Sequence, residues 1–204
     1  MKAVIIMQKD RDFLFSVVKR NNGVIRYSDV ESAGISKDIF LRFIKNNAFE
    51  KVSHGIYISP DTFPDELYLM QLRFPKIIFS HETALYLHEL SEMEPSPVSV
   101  TVCRTYNSKS LIAAGTCINY CPVGIYNLGL AEISSNYGNP LRIYDRERTV
   151  CDIIKKRKSI DASVFNYAIR EYVKSNDKKL NTLMDYAKKM NIEKTVRNTL
   201  EILL

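Results

Sequence analysis

Residues 28–46, SDVESAGISKDIFLRFIKN, decide how the amino-terminal part of the chain folds. Ser28 and Glu31 have the spacing of a capping box, in which each side chain bonds the backbone N–H of the other residue at the start of a helix. That short helix is expected to end at Gly34, because glycine takes the left-handed conformation of a helix stop without steric cost. The segment is therefore predicted to begin with a short capped helix and a glycine turn.

A second helix is predicted directly after this turn. Ser36 is its expected N-cap, and Ile35 and Phe40 stand where they can pack together as a hydrophobic staple. Two helices joined by a short turn that contains glycine form a helix-turn-helix, whose second helix enters the major groove of DNA. The segment therefore favours a DNA-binding fold.

The flanking residues extend this pattern to a winged helix-turn-helix. Residues 11–25 predict a preceding helix that stops at the Asn-Asn-Gly sequence. Residues 49–59, FEKVSHGIYIS, predict two short strands that form the wing, with Lys51, Ser53 and His54 near its tip. For His54 a polar turn residue is the preferred interpretation.

The charge distribution supports an acidic partner for this part of the chain. The net charge is +6 and the isoelectric point is about 9.0. Residues 1–59 hold 10 Lys and Arg against 6 Asp and Glu, whereas residues 60–204 hold 19 against 17. A basic excess on a small domain is typical of proteins that bind nucleic acid, although a solvated charged face on an ordinary three-helix bundle remains the alternative.

The candidate DNA-binding residues fall into two groups. The second helix of the motif is predicted to present basic residues on one face for groove and phosphate contacts: Lys37, Arg42 and Lys45. Flanking residues are predicted to contact the DNA backbone: Lys51, Arg26, Ser28, Lys19 and Arg20.

The rest of the chain is predicted to form a mixed α+β domain. A Pro-containing acidic stretch, SPDTFPDE, places the boundary near 59–64, which divides the chain into 1–59 and 60–204. Short strands are expected at 76–79, 98–103 and 115–121, followed by a hairpin over 130–144. Asp145 is the expected N-cap of the next helix, and three amphipathic helices, the last reaching Leu203, are expected to complete the fold. The predicted class is α+β, with an amino-terminal winged helix-turn-helix.

Several classes of function lack their signatures. The chain has no GxxxxGK[ST] phosphate loop, no GxGxxG fingerprint and no GxSxG elbow, and no pair of carboxylates with a spacing typical of acid–base catalysis. We therefore predict a protein that is not an enzyme and needs no cofactor. The four cysteines, Cys103, Cys117, Cys121 and Cys151, form no CxxC pair, which favours free thiols over a zinc site.

The histidines in FSHETALYLHEL, residues 79–90, pose the question of a metal site. His81 and His88 are seven residues apart, about 10.5 Å along a helix, whereas two zinc ligands on one helix stand three or four residues apart. This spacing predicts a structural helix capped by Ser80. The alternative from another class is a metal-dependent hydrolase or nuclease that uses His81, His88 and nearby carboxylates.

No segment predicts export or insertion into a membrane. The sequence holds no apolar run near the 18–20 residues, roughly, that cross a bilayer. The stretch AVIIM, residues 3–7, is shorter than the hydrophobic core of a signal peptide and no small-residue cleavage site follows it. The expected location is the cytoplasm.

Two stretches of the chain resemble the AbiEi antitoxin family. FSHETALYLHEL, followed by a Pro-containing turn and the strand VSVTV, resembles the family signature SheTALylHgL, with Glu89 where the family commonly has glycine. GNPLRIYDRERTVCDII, residues 138–154, resembles the later Gly-Asn…Tyr-Asp…Glu-Arg-Thr…Asp segment. The amino-terminal winged helix, ending in GIYISP, is similar to the family's amino-terminal domain, so that the resemblance covers nearly the whole chain.

The resemblance implies an antitoxin of a type IV toxin–antitoxin system linked to abortive phage infection. Such antitoxins act as transcriptional autorepressors that bind inverted repeats in their own promoter through the winged helix. The carboxy-terminal region would counteract a nucleotidyltransferase toxin of the AbiEii type without a stable complex, and monomers that pair on the DNA would suffice. A module that neutralises the toxin by direct binding is the remaining alternative.

Overall fold

The chain has a mixed α+β fold. The computed structural model describes residues 7–201. Within them lie eleven α-helices and eight strands in two sheets, and helix accounts for 49% and strand for 16%. These proportions confirm the predicted α+β class. Most of the AVIIM stretch and the predicted end of the last helix at Leu203 lie outside the described residues.

The chain divides into two compact units. The first extends through Pro75 and also includes residues 134–141, and the second comprises 76–133 and the chain from Arg142 onward. Across residues 7–201, no helix has both the length and the apolar character required to cross a bilayer.

The first unit contains four helices and a three-stranded antiparallel sheet. In chain order its elements are α1 (Gln8–Arg20), β1 (Val24–Arg26), α2 (Ser28–Glu31), α3 (Lys37–Asn46), β2 (Glu50–Ser53), β3 (Ile56–Ile58) and α4 (Glu66–Arg73). The strand order is β1-β3-β2. Strand β1 was not predicted, because three residues are too few to show an alternating pattern.

An aromatic cluster holds α3 in place. Phe40, Phe43 and Ile44 are buried on one side of the helix, as their spacing of three and four residues requires. The Phe43 ring makes an edge-to-face contact with Phe15 of α1 at 5.0 Å, and the Phe40 ring contacts Tyr57 of β3 at 5.6 Å. Side chains on the opposite side of α3 consequently face solvent.

The start of α3 has the predicted cap. Ser36 Oγ accepts a hydrogen bond from the Ile39 N–H at 3.3 Å, and Gly34 has φ +82°, which only glycine adopts freely. Ile35 and Phe40 are buried in one cluster, as expected of a staple. The turn between α2 and α3 is therefore determined by local sequence.

The capping box predicted for α2 is wrong. The N-cap position is occupied by Tyr27, which has helical backbone angles and makes no side-chain cap bond. Ser28 instead lies inside the first turn. Asp29 satisfies a backbone donor before the helix, because its carboxylate accepts the Arg26 N–H at 3.0 Å.

Helix α4 belongs with the first unit, so the compact units differ from the division predicted at 59/60. Leu69 of this helix packs in one cluster with Val24 and Ile56 of the sheet. Asp65 caps the helix by accepting the Tyr68 N–H at 3.1 Å, and its other carboxylate oxygen accepts Asn139 Nδ2 at 2.9 Å. The Pro-containing stretch is thus a loop within the unit.

The second unit is built on a five-stranded mixed sheet. In chain order its elements are β4 (Ile78–Phe79), α5 (His81–Leu87), β5 (Ser99–Cys103), α6 (Lys109–Ala113), β6 (Cys117–Cys121), α7 (Val123–Tyr126), β7 (Leu130–Ser134), β8 (Pro140–Tyr144), α8 (Arg146–Lys155), α9 (Ala162–Lys174), α10 (Leu180–Lys189) and α11 (Glu193–Glu201). The strand order is β6-β5-β4-β8-β7, with β4 antiparallel to β5 and parallel to β8.

The predicted strands, the hairpin and the three final helices of this unit are confirmed. Asp145 caps α8 as expected, since its carboxylate accepts the Arg148 N–H at 2.7 Å. Helix α8 is buried over most of its length, with Val150, Ile153 and Ile154 at the centre of a cluster to which α9, α10 and α11 contribute. Helices α6 and α7 were not predicted, because four or five residues show no helical periodicity.

Replacing Phe43 by Ala should lower the free energy of unfolding by about 3–5 kcal/mol, because the change removes a fully buried ring and leaves a cavity. Leu41→Ala on the same helix is the matched control and should change it by less than about 0.5 kcal/mol, because that side chain is exposed. Urea denaturation followed by circular dichroism measures both. Equal effects would contradict the assignment of the two faces of α3.

Candidate nucleic-acid interface

An exposed stripe runs along α3 opposite the aromatic cluster. Lys37, Leu41 and Lys45 are all exposed and follow one another at intervals of four residues, one helical turn. Leu41 is an apolar residue and is 41% exposed. We call Lys37, Leu41 and Lys45 the α3 stripe.

Arg42 lies at the edge of this face rather than on the stripe. At 3.6 residues per turn it is about 140° around the helix from Lys37 and about 60° from Lys45. It is half-buried, whereas both lysines are exposed. The structure therefore brings two of the three predicted groove residues together and places the third beside them.

The β2–β3 hairpin carries the predicted wing residues. Lys51 is exposed on β2, opposite Tyr57 of β3, and His54 is exposed in the turn. Ser53 is half-buried at the end of β2. Val52, between them, is 44% exposed and adds an apolar side chain to this surface.

Arg26 is engaged in an ion pair. Its guanidinium contacts Asp29 with Nη2 2.6 Å and Nε 3.0 Å from the same carboxylate oxygen. Together with the backbone bond between these residues, the pair fixes the turn that leads into α2. The Arg-x-x-Asp spacing was the signal for this arrangement, and the interpretation of Arg26 as a DNA contact overlooked it.

The other flanking candidates are accessible. Lys19 and Arg20 are exposed in the last turn of α1, where positive side chains interact favourably with the helix dipole. Ser28 is exposed in the first turn of α2. These three positions are thus open to solvent, whereas Arg26 is held by Asp29.

His81 and His88 of the second unit make separate structural contacts. His88 Nε2 donates a hydrogen bond to the Tyr144 carbonyl at 2.7 Å, and burial lowers the pKa of this imidazole. His81 is buried, with Nδ1 3.1 Å from Ser80 Oγ, and burial lowers its pKa to about 3. Both side chains are therefore neutral near pH 7.

Ser80 occupies the N-cap position of α5 but does not cap it with its side chain. Its hydroxyl instead accepts the Thr101 Oγ1 hydrogen bond at 2.8 Å from β5. Over residues 7–201, no group of three or more His, Cys, Asp or Glu is placed to hold a metal ion. All four cysteines are free thiols.

The second stretch that resembles the antitoxin family forms a buried polar network. Arg148 Nε bonds Asp152 at 3.1 Å, and Nη1 donates to the carbonyls of Ile125 at 2.7 Å and Leu128 at 2.9 Å. The guanidinium also lies 4.2 Å from the centre of the Tyr144 ring. Nη1 thus holds the segment after β6 against α8, whereas the Nε bond stays within α8.

The acidic residues of the same stretch hold the final helices. Asp145 accepts the Tyr186 hydroxyl of α10 at 2.9 Å. Glu147 accepts the Tyr172 hydroxyl of α9 at 3.2 Å and the Lys179 N–H at 3.0 Å. These side chains therefore act in packing, which the sequence alone did not reveal.

The two family-like stretches also contact each other. Phe79 of β4 pairs with Ile143 of the parallel strand β8, and His88 bonds the Tyr144 carbonyl. The two stretches thus pack together, although the residues in contact are more than fifty positions apart in the sequence.

Comparisons with known proteins give a fold and no family. No protein-family model and no curated protein matches the chain. One solved structure similar to it is the crystal structure of the RV2827C protein from Mycobacterium tuberculosis, with a TM-score of 0.55 and 10% identity. The match covers 87% of this chain and 70% of the mycobacterial one. At this identity the likeness establishes the fold alone.

The stability of the chain should depend on pH through His81. The pKa of histidine in an unfolded chain is about 6.5. Between that pH and about 3, the unfolded chain therefore binds one more proton at position 81 than the folded chain does. The contribution of His81 to the free energy of unfolding is therefore fully present above pH 6.5. It decreases as the pH falls below that value, by about 1.4 kcal/mol per pH unit. His81→Asn, which tolerates the φ of +51° at this position, should remove that slope.

Urea denaturation at pH values from 7 to 4 measures this effect as the difference between the unmodified chain and His81→Asn. Burial raises the pKa of Asp152 to about 6, so its contribution has the opposite sign and is lost as the pH rises; it is common to both proteins and cancels. His54→Asn, at an exposed position, is the control. A difference that stays constant with pH would rule out a buried neutral His81.

Proposed function

We propose that the chain is a DNA-binding autorepressor and antitoxin of the AbiEi type. The α3 stripe is the observation that carries the DNA-binding part, because it places two lysines and an exposed leucine on the solvent side of a rigidly packed helix. The order α1, β1, α2, α3, β2, β3 supports it, since this is the element order of a winged helix-turn-helix with α3 as the recognition helix.

Each residue has a proposed contact. Lys37 and Lys45 reach base edges and phosphates in the major groove, and Leu41 provides an apolar surface for a thymine methyl group. Arg42, at the edge of the stripe, contacts a phosphate beside the groove. Lys51 on the hairpin contacts the DNA backbone as the wing.

The flanking positions are assigned according to their contacts. Lys19, Arg20 and Ser28 bind phosphates on either side of the groove. Arg26 shapes the turn into α2 through its pairing with Asp29, and contacts DNA only in addition to that ion pair. This assignment refines the sequence prediction, which treated Arg26 like its neighbours.

The antitoxin part rests on the resemblance of the two stretches that pack together in the second unit. We place the protein in the cytoplasm, where two copies bind the inverted repeats of their own promoter. The second unit opposes an AbiEii-type nucleotidyltransferase toxin without a stable complex.

Binding to the chain's own upstream DNA, measured by mobility shift across a salt series, tests the DNA-binding part. The double variant Lys37→Ala/Lys45→Ala should abolish the specific shift, and the salt dependence of log K should decrease by about 0.9 for each phosphate that the variant no longer neutralises. Adding Arg42→Ala should weaken residual binding further. Both lysines are exposed, so the fold should remain intact.

Lys188→Ala/Lys189→Ala is the matched control, because it removes the same charge from exposed positions on α10. It should leave the specific shift in place. Equal loss of binding in both double variants would mean that binding depends only on the net charge of the protein, and would reject α3 as the recognition helix. Unchanged binding in the α3 variant would reject it as well.

Co-expression with a nucleotidyltransferase toxin of the AbiEii type tests the antitoxin part. The Lys37→Ala/Lys45→Ala variant should still relieve growth inhibition by the toxin while a promoter reporter shows loss of repression, because the altered residues belong to the first unit. Failure of the unmodified chain to relieve inhibition would reject the antitoxin function. Co-purification of the two proteins would favour direct neutralisation instead.

A further inference from the structure

The second unit contains a cavity that neither DNA binding nor the packing of the final helices uses. Its volume is about 250 Å³, and its polar lining comes from β5, β6, α5 and α8. The polar side chains that define it are His81, Asn119, Arg148, Asp152, Lys155 and Lys156. Such a space admits a small ligand with several polar contacts.

The charges around the cavity favour an anion. Arg148 and Asp152 neutralise each other as a buried ion pair, so Lys155 and Lys156 remain as uncompensated positive charges of the lining. Lys156 is directed inward, because its ammonium group donates a hydrogen bond to Asn119 Oδ1. An ammonium has three N–H donors, so this contact leaves others for a ligand.

His81 contributes a further donor. Ser80 Oγ already accepts the Thr101 hydroxyl, so its own proton is best placed on His81 Nδ1, which leaves the imidazole proton on Nε2. No other residue of the described part of the chain forms a hydrogen bond with that Nε2. His81 is only 5% exposed and lines the cavity, so its donor is available to a bound group.

We propose that this cavity binds a phosphate group, either free or as a monoester, through the ammonium groups of Lys155 and Lys156 and the Nε2–H of His81. Near neutral pH a phosphate group carries up to two negative charges and has four oxygens, which match two lysines and a neutral donor. A carboxylate would leave one lysine uncompensated, and a cation would meet two positive charges.

The rest of the lining accommodates the organic part of a monoester. Ile125 and Met190 provide apolar surface beside the charged groups. We therefore expect a monoester to bind more tightly than inorganic phosphate.

Isothermal titration calorimetry of the full chain with inorganic phosphate and with adenosine 5′-monophosphate tests the proposal. Lys156→Gln should raise the dissociation constant about tenfold, as expected when one charged hydrogen bond is removed. Lys158→Gln is the matched control, because this lysine is exposed two positions away and does not line the cavity. It should leave the dissociation constant unchanged.

A second variant tests the donor. His81→Asn should weaken phosphate binding while circular dichroism confirms that the protein is folded. Tighter binding of the monophosphate than of phosphate would support a monoester, and equal affinity would support the free ion. The absence of binding by both probes at millimolar concentration, or equal weakening by Lys156→Gln and Lys158→Gln, would overturn the proposal. Promoter binding is measured separately, so its failure would not affect this result.

Discussion

The buried guanidinium of Arg148 is the constraint around which the second unit is arranged. Its side chain is almost inaccessible to water, and moving a charge out of water costs several kcal/mol unless its hydrogen bonds are replaced. The carboxylate of Asp152 and two carbonyls after β6 provide that replacement. The turn at Gly129 must then pass very close, since a Cβ there would lie 2.5 Å from the Arg148 Cβ. Glycine at this position is therefore a packing requirement.

This arrangement shows what the charged residues in the stretch 138–154 do in the fold. Asp145, Glu147 and Arg148 are charged residues close together in sequence, a pattern that usually indicates a solvent-exposed face. In the structure each is used to fasten a helix or a loop, through the Tyr186 hydroxyl, the Tyr172 hydroxyl and backbone carbonyls. A sequence signature built from such contacts identifies an architecture. Residues that act on partners are then to be sought elsewhere, on surfaces where charge is left exposed.

The sequence predicted many parts of the fold that local interactions determine, although the capping box at Ser28 and the side-chain cap by Ser80 were wrong. The caps at Ser36 and Asp145 involve a side chain and a backbone N–H three residues away, so their signals are contained in a few positions. The pairing of β4 with β8 and the bonds of Arg148 to neighbouring segments depend on contacts across many residues, which no single stretch records. Arg26 is an intermediate case, since its partner Asp29 is only three positions away, but the interpretation of Arg26 as a DNA contact overlooked this spacing. The exposure of the lysines of the α3 stripe could be predicted from helical periodicity. The surroundings of His81 could not, because they depend on contacts with Thr101 and other residues of the sheet.

The charged side chains have different roles in the two units. In the first unit the aromatic contacts of Phe40 and Phe43 fix α3 without using its charged residues, so Lys37 and Lys45 remain available to meet phosphates, and the stability of the helix does not depend on them. In the second unit most charged side chains of α8 form hydrogen bonds or ion pairs within the fold, and the lysines at the end of the helix lie outside the Arg148 network. Binding of an anion there would compensate positive charge beside the buried network and so stabilise the second unit, whereas binding of DNA at the α3 stripe would stabilise the first. Because the aromatic cluster and the Arg148 network use different residues, substitutions that affect one proposed binding site need not affect the other.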